Sequence, residues 1–140
     1  MFKTIVCAVA VCASLHAQAE TECFPVTEVL KVVDGDTIDV RIHVRPIDLD
    51  LLADMRIRME GINAWESRTR NAAEKVKGLA AKARLQELAE LPMSICLSGK
   101  GKYGRWLGTL FAEGRNINEQ LVLEGHAHRY DGGKREDFTE

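Results

Sequence analysis

Val32-Val33-Asp34-Gly35-Asp36-Thr37-Ile38-Asp39-Val40 is a β-branched run interrupted by two acids and a glycine. β-Branched residues pack well on pleated surfaces, and Asp-Gly between two such runs is a strong hairpin signal. The stretch therefore reads as two strands, 26–33 and 36–44, joined by a tight turn. The two carboxylates at that turn leave a question open. Turn chemistry alone accounts for Asp-Gly-Asp-Thr. A hard cation facing both acids accounts for it as well, and the rest of the chain has to decide.

Working outward, residues 46–54 lack periodicity and read as a loop. Met55-Arg56-Ile57-Arg58-Met59 alternates apolar and basic, which predicts a third strand with one wet face. Residues 71–91 predict a helix whose inner face carries Val76, Leu79, Ala80 and Ala83, with Leu88 on roughly the same side. Asn71 with Glu74 resembles a capping arrangement, and Pro92 stops the helix. Residues 93–97 and 105–112 predict two more strands, separated by the flexible basic loop 98–102. Asn116 caps a second helix running through Glu124, with Gly125 as its stop. Three strands, a helix, two strands and a helix predict an α+β domain built on a five-stranded barrel.

The N-terminus stands apart. Lys3, the apolar run 4–15 and Ala17-Gln18-Ala19 form the pattern of a secretory signal peptide over residues 1–19. That run is too short to span a bilayer, so no membrane anchor is expected once it is cleaved. The remainder, 20–140, reads as one domain with a mobile C-terminal tail from about residue 131. Setting Lys3 aside leaves 18 basic side chains against 21 acidic ones, a net charge of about −3. A global basic field is thereby excluded. A polyanionic partner must be met by a local cluster or through a bound cation. Arg68, Arg70, Lys100 and Lys102 are candidates for such a cluster; scattered solvated charge is the alternative. Cleavage also reduces four cysteines to Cys23 and Cys96, and an exported context makes them a candidate disulfide, with two separate thiols as the alternative. His126 and His128, two apart, could share one side of a strand, but no third ligand is adjacent and a metal pair is not expected.

Four segments carry the chemistry: Asp34-Gly35-Asp36-Thr37, Arg58 through Glu66, Lys102-Tyr103-Gly104-Arg105, and Asn118-Glu119-Gln120-Leu121-Val122. Hard cations take several oxygen ligands, which Asp36, Asn63 and Glu66 can supply. Arg58 and Arg105 are planar forks suited to phosphate oxygens. A cation, a nearby carboxylate and two arginines are the parts a phosphodiester hydrolase needs.

In order and spacing these segments resemble the staphylococcal-nuclease family. That pattern has Asp-Gly-Asp-Thr at a strand end, an Arg eight residues before a Glu, Lys-Tyr-Gly-Arg, and an Asn-Glu-x-Leu-Val helix. Here Arg58 stands eight before Glu66, and the resemblance covers residues 26–130. It implies an OB-type five-stranded barrel with packed helices, and a calcium-dependent endonuclease that cleaves DNA and RNA with little sequence preference, leaving 3′-phosphates. It implies Asp36 as a direct calcium ligand, the Ala64 backbone carbonyl as another, and Asp34 acting through water. Glu66 corresponds to the residue that activates the attacking water. Arg58 and Arg105 correspond to the pair that grips the phosphate, and Lys102 and Tyr103 line the nucleotide pocket. A secreted monomer, periplasmic or extracellular, is expected.

Asn63 departs from the pattern, which carries a second calcium-binding Asp there. An amide oxygen can still coordinate, but one negative charge is gone. Calcium affinity follows ligand charge, so weaker binding is expected. A nucleic-acid-binding module without turnover is therefore the alternative, although such a module has no need of Glu66. Trp65 replaces the usual Pro and loosens the loop; packing is the expected use of its ring, base stacking the other. The best-known members continue into a further C-terminal helix, which this chain is expected to lack, at a cost in packing.

Overall fold

Alternation builds the barrel. The elements run β1 (Glu22–Asp34), β2 (Thr37–Val44), β3 (Leu51–Met59), β4 (Ile62–Ala64), α1 (Ala72–Leu88), β5 (Met93–Lys100), β6 (Trp106–Ala112), β7 (Arg115–Asn116), α2 (Ile117–Leu123) and β8 (Ala127–Arg129). On β2, Ile38, Val40 and Ile42 are buried, while Asp39, Arg41 and His43 alternate onto the outer side. On β3, Ile57 and Met59 enter the same core. This computed structural model describes residues 21–45 and 49–133. The expected signal peptide lies outside the described residues, as does the tail from residue 134.

The strands pair in the order β3-β2-β1-β5-β6, and β3 pairs in parallel with β6 through Ile57, Arg58 and Met59. That last pairing closes the sheet into the five-stranded OB-type barrel of an α+β domain, as expected. Closure leaves no open edge at the end where Arg58 sits. Asn118, buried at the start of α2, clamps the seam. Its amide nitrogen donates to the carbonyls of Glu60 and Gly108 at 2.9 and 3.2 Å, and its oxygen accepts from Leu110 N at 3.1 Å. β4 and β8 form a separate two-stranded ribbon beside the barrel, with Asn63 opposite His128.

A disulfide joins Cys23 on β1 to Cys96 on β5, directly opposite each other in the strand pair and 73 residues apart in sequence.

Several expectations need correction. Residues 51–54 are not loop; they open β3 and pair with residues 41–44 of β2. The basic loop is shorter than expected, because β5 continues to Lys100 before a single 3-10 turn at Lys102–Gly104. The helical face is the clearest miss. Val76 and Leu79 are 68% and 48% exposed, and the buried residues are Gly78, Ala81, Leu85 and Leu88. The cause is steric. A Cβ on Gly78 would fall 2.4 Å from the carbonyl carbon of Glu66. The helix lies so close to the Glu66–Ser67 backbone that small residues, Gly78 and Ala81, must face inward there, and the buried stripe continues through Leu85 and Leu88 instead of Val76 and Leu79. Its cap follows expectation in part: Asn71 Oδ1 accepts from the N–H groups of Ala73 and Glu74. The Glu74 carboxylate instead reaches the N–H of Glu66, at 3.5 Å.

Candidate functional site

The β1–β2 turn holds its acids in place through different partners. Asp36 is buried, with Oδ2 accepting from Ala64 N at 2.7 Å and Oδ1 from the Thr37 hydroxyl at 3.0 Å. Asp34 accepts from the Ser67 hydroxyl and from Arg68 Nη2, the latter at 3.2 Å. Gly35 lies between them because nothing larger fits: a Cβ there would sit 2.6 Å from the Ala81 Cβ. The turn is pressed against α1, and that contact fixes where both carboxylates point.

Arg58 comes from the end of β3, where register places it across from Thr37. With no carboxylate opposite, its guanidinium turns along the barrel end. It donates to the Met59 carbonyl at 3.1 Å and to Asn63 Oδ1 at 2.9 Å, and stands 3.3 Å from Asp36 Oδ2. The Arg58 and Asp36 side chains are only 12% and 11% exposed. Their attraction is therefore screened far less than that of a surface pair.

These residues line a cleft of about 270 Å³ together with Asp34, Thr37, Ala64, Trp65, Glu66, Arg105 and Tyr130. Asp34, Asp36, Arg58, Asn63, Glu66 and Arg105, singled out from sequence, are thus gathered by four separate parts of the chain. Glu66 is exposed at the rim and follows the buried β4 segment. Arg105 enters just before β6, whose pairing with β3 brings it beside Arg58. An adjoining cleft of about 800 Å³ shares Arg58, Arg105 and Tyr130 and adds Lys102. Tyr103 lines neither; it is 92% exposed, its backbone is left-handed at φ 61°, and its ring lies 5.9 Å from the Arg105 guanidinium carbon.

Of the proposed basic cluster, Arg68 is tied to Asp34 and Lys100 lies over the Trp106 ring at 4.8 Å. Trp65 packs against His128, with ring centroids 5.0 Å apart. Thr37 belongs to the first motif but carries no separate signal of its own part, and Ser67 and His128 carry none in sequence, because what they do depends on contact and not on residue type in a motif. The partial legibility of the fourth motif is similar: Asn118 stood out, but its work is at the barrel seam.

Among the described residues no group of three or more His, Cys, Asp or Glu side chains could hold a metal ion on its own. What the cleft offers is the carboxylates of Asp34 and Asp36, that of Glu66 at the rim, the Asn63 amide oxygen and the Ala64 carbonyl. This oxygen-only set fits a hard cation in kind, and is lower in charge than calcium sites with more carboxylates. Asp36 Oδ1 keeps a lone pair beyond its bond from Thr37, while Oδ2 is shared by Ala64 N–H and Arg58, so the neighbours orient the carboxylate without exhausting it.

The sequence model of the family described as staphylococcal nuclease homologue matches residues 56–140. A curated relative, Protein ParB of Escherichia coli, is 28% identical over 112 residues, covering 74% of this chain and 56% of that protein. The chain spans little more than half the length of that relative.

Proposed function

The chain belongs to the family of staphylococcal nuclease homologues, and on that premise we propose that it is an exported, calcium-dependent nuclease. It hydrolyses phosphodiester bonds of DNA or RNA with little sequence specificity. The observation that carries this reading is the convergence of Asp36, Arg58, Glu66 and Arg105 on one cleft. Arg58 and Arg105 grip the phosphate and offset charge that grows on its oxygens as phosphorus becomes five-coordinate. Glu66, at the rim, orients and deprotonates the attacking water. Asp36, Asn63 and the Ala64 carbonyl would hold the cation, with Asp34 acting through water. Once bound, calcium supplies Lewis-acid polarisation of a phosphoryl oxygen. Asp36 is held ready for this by Ala64 N–H and Thr37. Lys102 and Tyr103 meet the flanking nucleotide. The Cys23–Cys96 disulfide supports export to an oxidising periplasm or exterior. No described helix is long and apolar enough to cross a membrane.

One observation favours a second reading, a binding module without turnover. Arg58 already donates to the Asn63 oxygen, so the amide competes for a group the phosphate needs. The assay that separates them is calcium titration with single-stranded DNA. Chelator-sensitive cleavage, lost in Glu66→Gln and Arg105→Ala, is expected. Tight DNA binding with no cleavage at any calcium level would leave the module as the answer.

A further inference from the structure

Asn63 poses a problem that an aspartate would not. A carboxylate presents an oxygen whichever way it turns; an amide presents an oxygen on one side and an NH₂ on the other. Turned wrongly, Asn63 would aim two N–H donors at Arg58 and at the oxygen-lined cleft. The structure shows how the turn is set. Arg58 can only donate, and it donates to Asn63 Oδ1 at 2.9 Å. The NH₂ must then face the other way, where it meets His128 Nε2 at 3.4 Å. β4–β8 register puts the two residues directly opposite. Trp65, tilted by 44° against the imidazole at 5.0 Å, limits how that ring can swing.

We propose that His128 is a positioning residue: it accepts from the Asn63 amide and keeps its oxygen turned toward Arg58 and the cleft. The chemistry admits one arrangement. For Nε2 to accept, the imidazole proton must sit on Nδ1. Nδ1 is buried and has no hydrogen-bond partner among the described residues. The Nδ1–H tautomer therefore leaves one buried donor unmet. The other tautomer is worse, because it sets Nε2–H against the Asn63 NH₂ and also leaves Nδ1 without a partner. The device suits an amide and not an acid, so His128 and Asn63 belong together. The inference rests on the nuclease reading only for what the oxygen is aimed at.

Two measurements test it. The first is the imidazole tautomer of His128 in the metal-free protein, read from long-range ¹⁵N–¹H couplings at a pH well above the ordinary histidine range. Nδ1–H is expected; Nε2–H overturns the proposal. The second is terbium affinity, read by luminescence sensitised through Trp65. His128→Phe keeps a flat ring against Trp65 but cannot accept, and should weaken terbium binding roughly tenfold. His128→Gln places an acceptor near the Nε2 position without the ring, and should stay within about twofold of the parent. The reverse order, Phe tolerated and Gln damaging, makes ring packing the whole effect and overturns the proposal. If the parent binds no terbium, the metal reading fails by itself, and the tautomer alone decides this one.

Discussion

Arg56 and Arg58 stand two residues apart on one face of β3, yet they serve different ends. Arg56 lies across from Asp39 and closes a two-pronged ion pair with it, at 2.7 and 2.8 Å. One step further from the site, Arg41 does the same with Asp54. At the rung nearest the turn the partner is Thr37, and the pattern stops. Arg58 is 12% exposed where Arg56 is 54% exposed. Its fork is spread over carbonyls, an amide and one edge of Asp36. A cation satisfied by a carboxylate in water has little left for a substrate. One whose fork is divided among carbonyls, an amide and a single carboxylate oxygen, at the end of a barrel, can exchange those separate contacts for a phosphate.

The largest expected effect breaks this comparison at its centre. Arg58→Ala should lower kcat/KM for single-stranded DNA by about 10³-fold, the loss typical of one well-placed transition-state donor. Arg56→Ala should leave cleavage within about twofold and change stability by no more than about 1 kcal/mol. Equal losses of activity in the two variants would show that position in the ladder, not partner chemistry, governs these arginines.

Next in size is Gly78, which bears on why the site end keeps its shape at all. In an ordinary helix interior, Gly→Ala stabilises by about 1 kcal/mol. Here the new methyl would lie 2.4 Å from the Glu66 carbonyl carbon and 2.6 Å from Ser67 N. Backbone cannot yield as a flexible side chain can, so overpacking should win. Gly78→Ala is expected to destabilise by about 2 kcal/mol in urea unfolding and to disturb cleavage by displacing Glu66. A stabilised, fully active variant would show that α1 does not brace the loop.

Gly78 also marks where the sequence stops being readable. Apolar periodicity placed Val76 and Leu79 inward, because hydrophobicity ranks what benefits from burial. It does not report how closely two backbones must approach, and that decided the helix face. Leu51 and Leu52 concealed the start of β3 for a related reason: both are exposed, so no alternation announces the strand, and only pairing with β2 reveals it. β4, β7 and β8 are two or three residues long and carry no period. The barrel strands were legible because alternation encodes them; the cleft residues were legible because of the order and spacing of their motifs, since turn chemistry alone accounts for Asp-Gly-Asp-Thr. His128 was discounted because its part is defined by what it touches across β4–β8.

A smaller effect tests the same rung from the other side. Asn63→Asp places a carboxylate where Arg58 now meets an amide, and so makes the last rung resemble the outer ones in charge. It also restores one negative charge to the oxygen set of the cleft. If that set holds calcium, the concentration needed for half-maximal cleavage should fall by roughly tenfold. An unchanged or higher requirement in a calcium titration would remove Asn63 from the ligand set. If instead the new pair resembles Arg56–Asp39 too closely, kcat should drop while calcium dependence improves, because Arg58 would be neutralised as Arg56 is.

The smallest effect concerns an ion pair of the outer kind, far from the cleft. Arg84 on α1 donates to both oxygens of Glu124, at 2.7 and 2.9 Å. That hydrogen bonding, only partly opposed by desolvation, lowers the Glu124 pKa from 4.5 to about 2. A depressed carboxylate contributes stability that is fully present above its unfolded pKa and disappears as pH falls through the folded one. The window is thus from about 4.5 down to about 2. Both side chains are 30% exposed, so solvent screening keeps the contribution small. Urea midpoints measured across that window should decline more steeply in the parent than in Glu124→Gln, while cleavage at neutral pH stays the same in both. Loss of cleavage in Glu124→Gln would mean that α1 transmits strain from its far end to the Glu66 loop, and the separation between stabilising pairs and the working arginine would no longer hold.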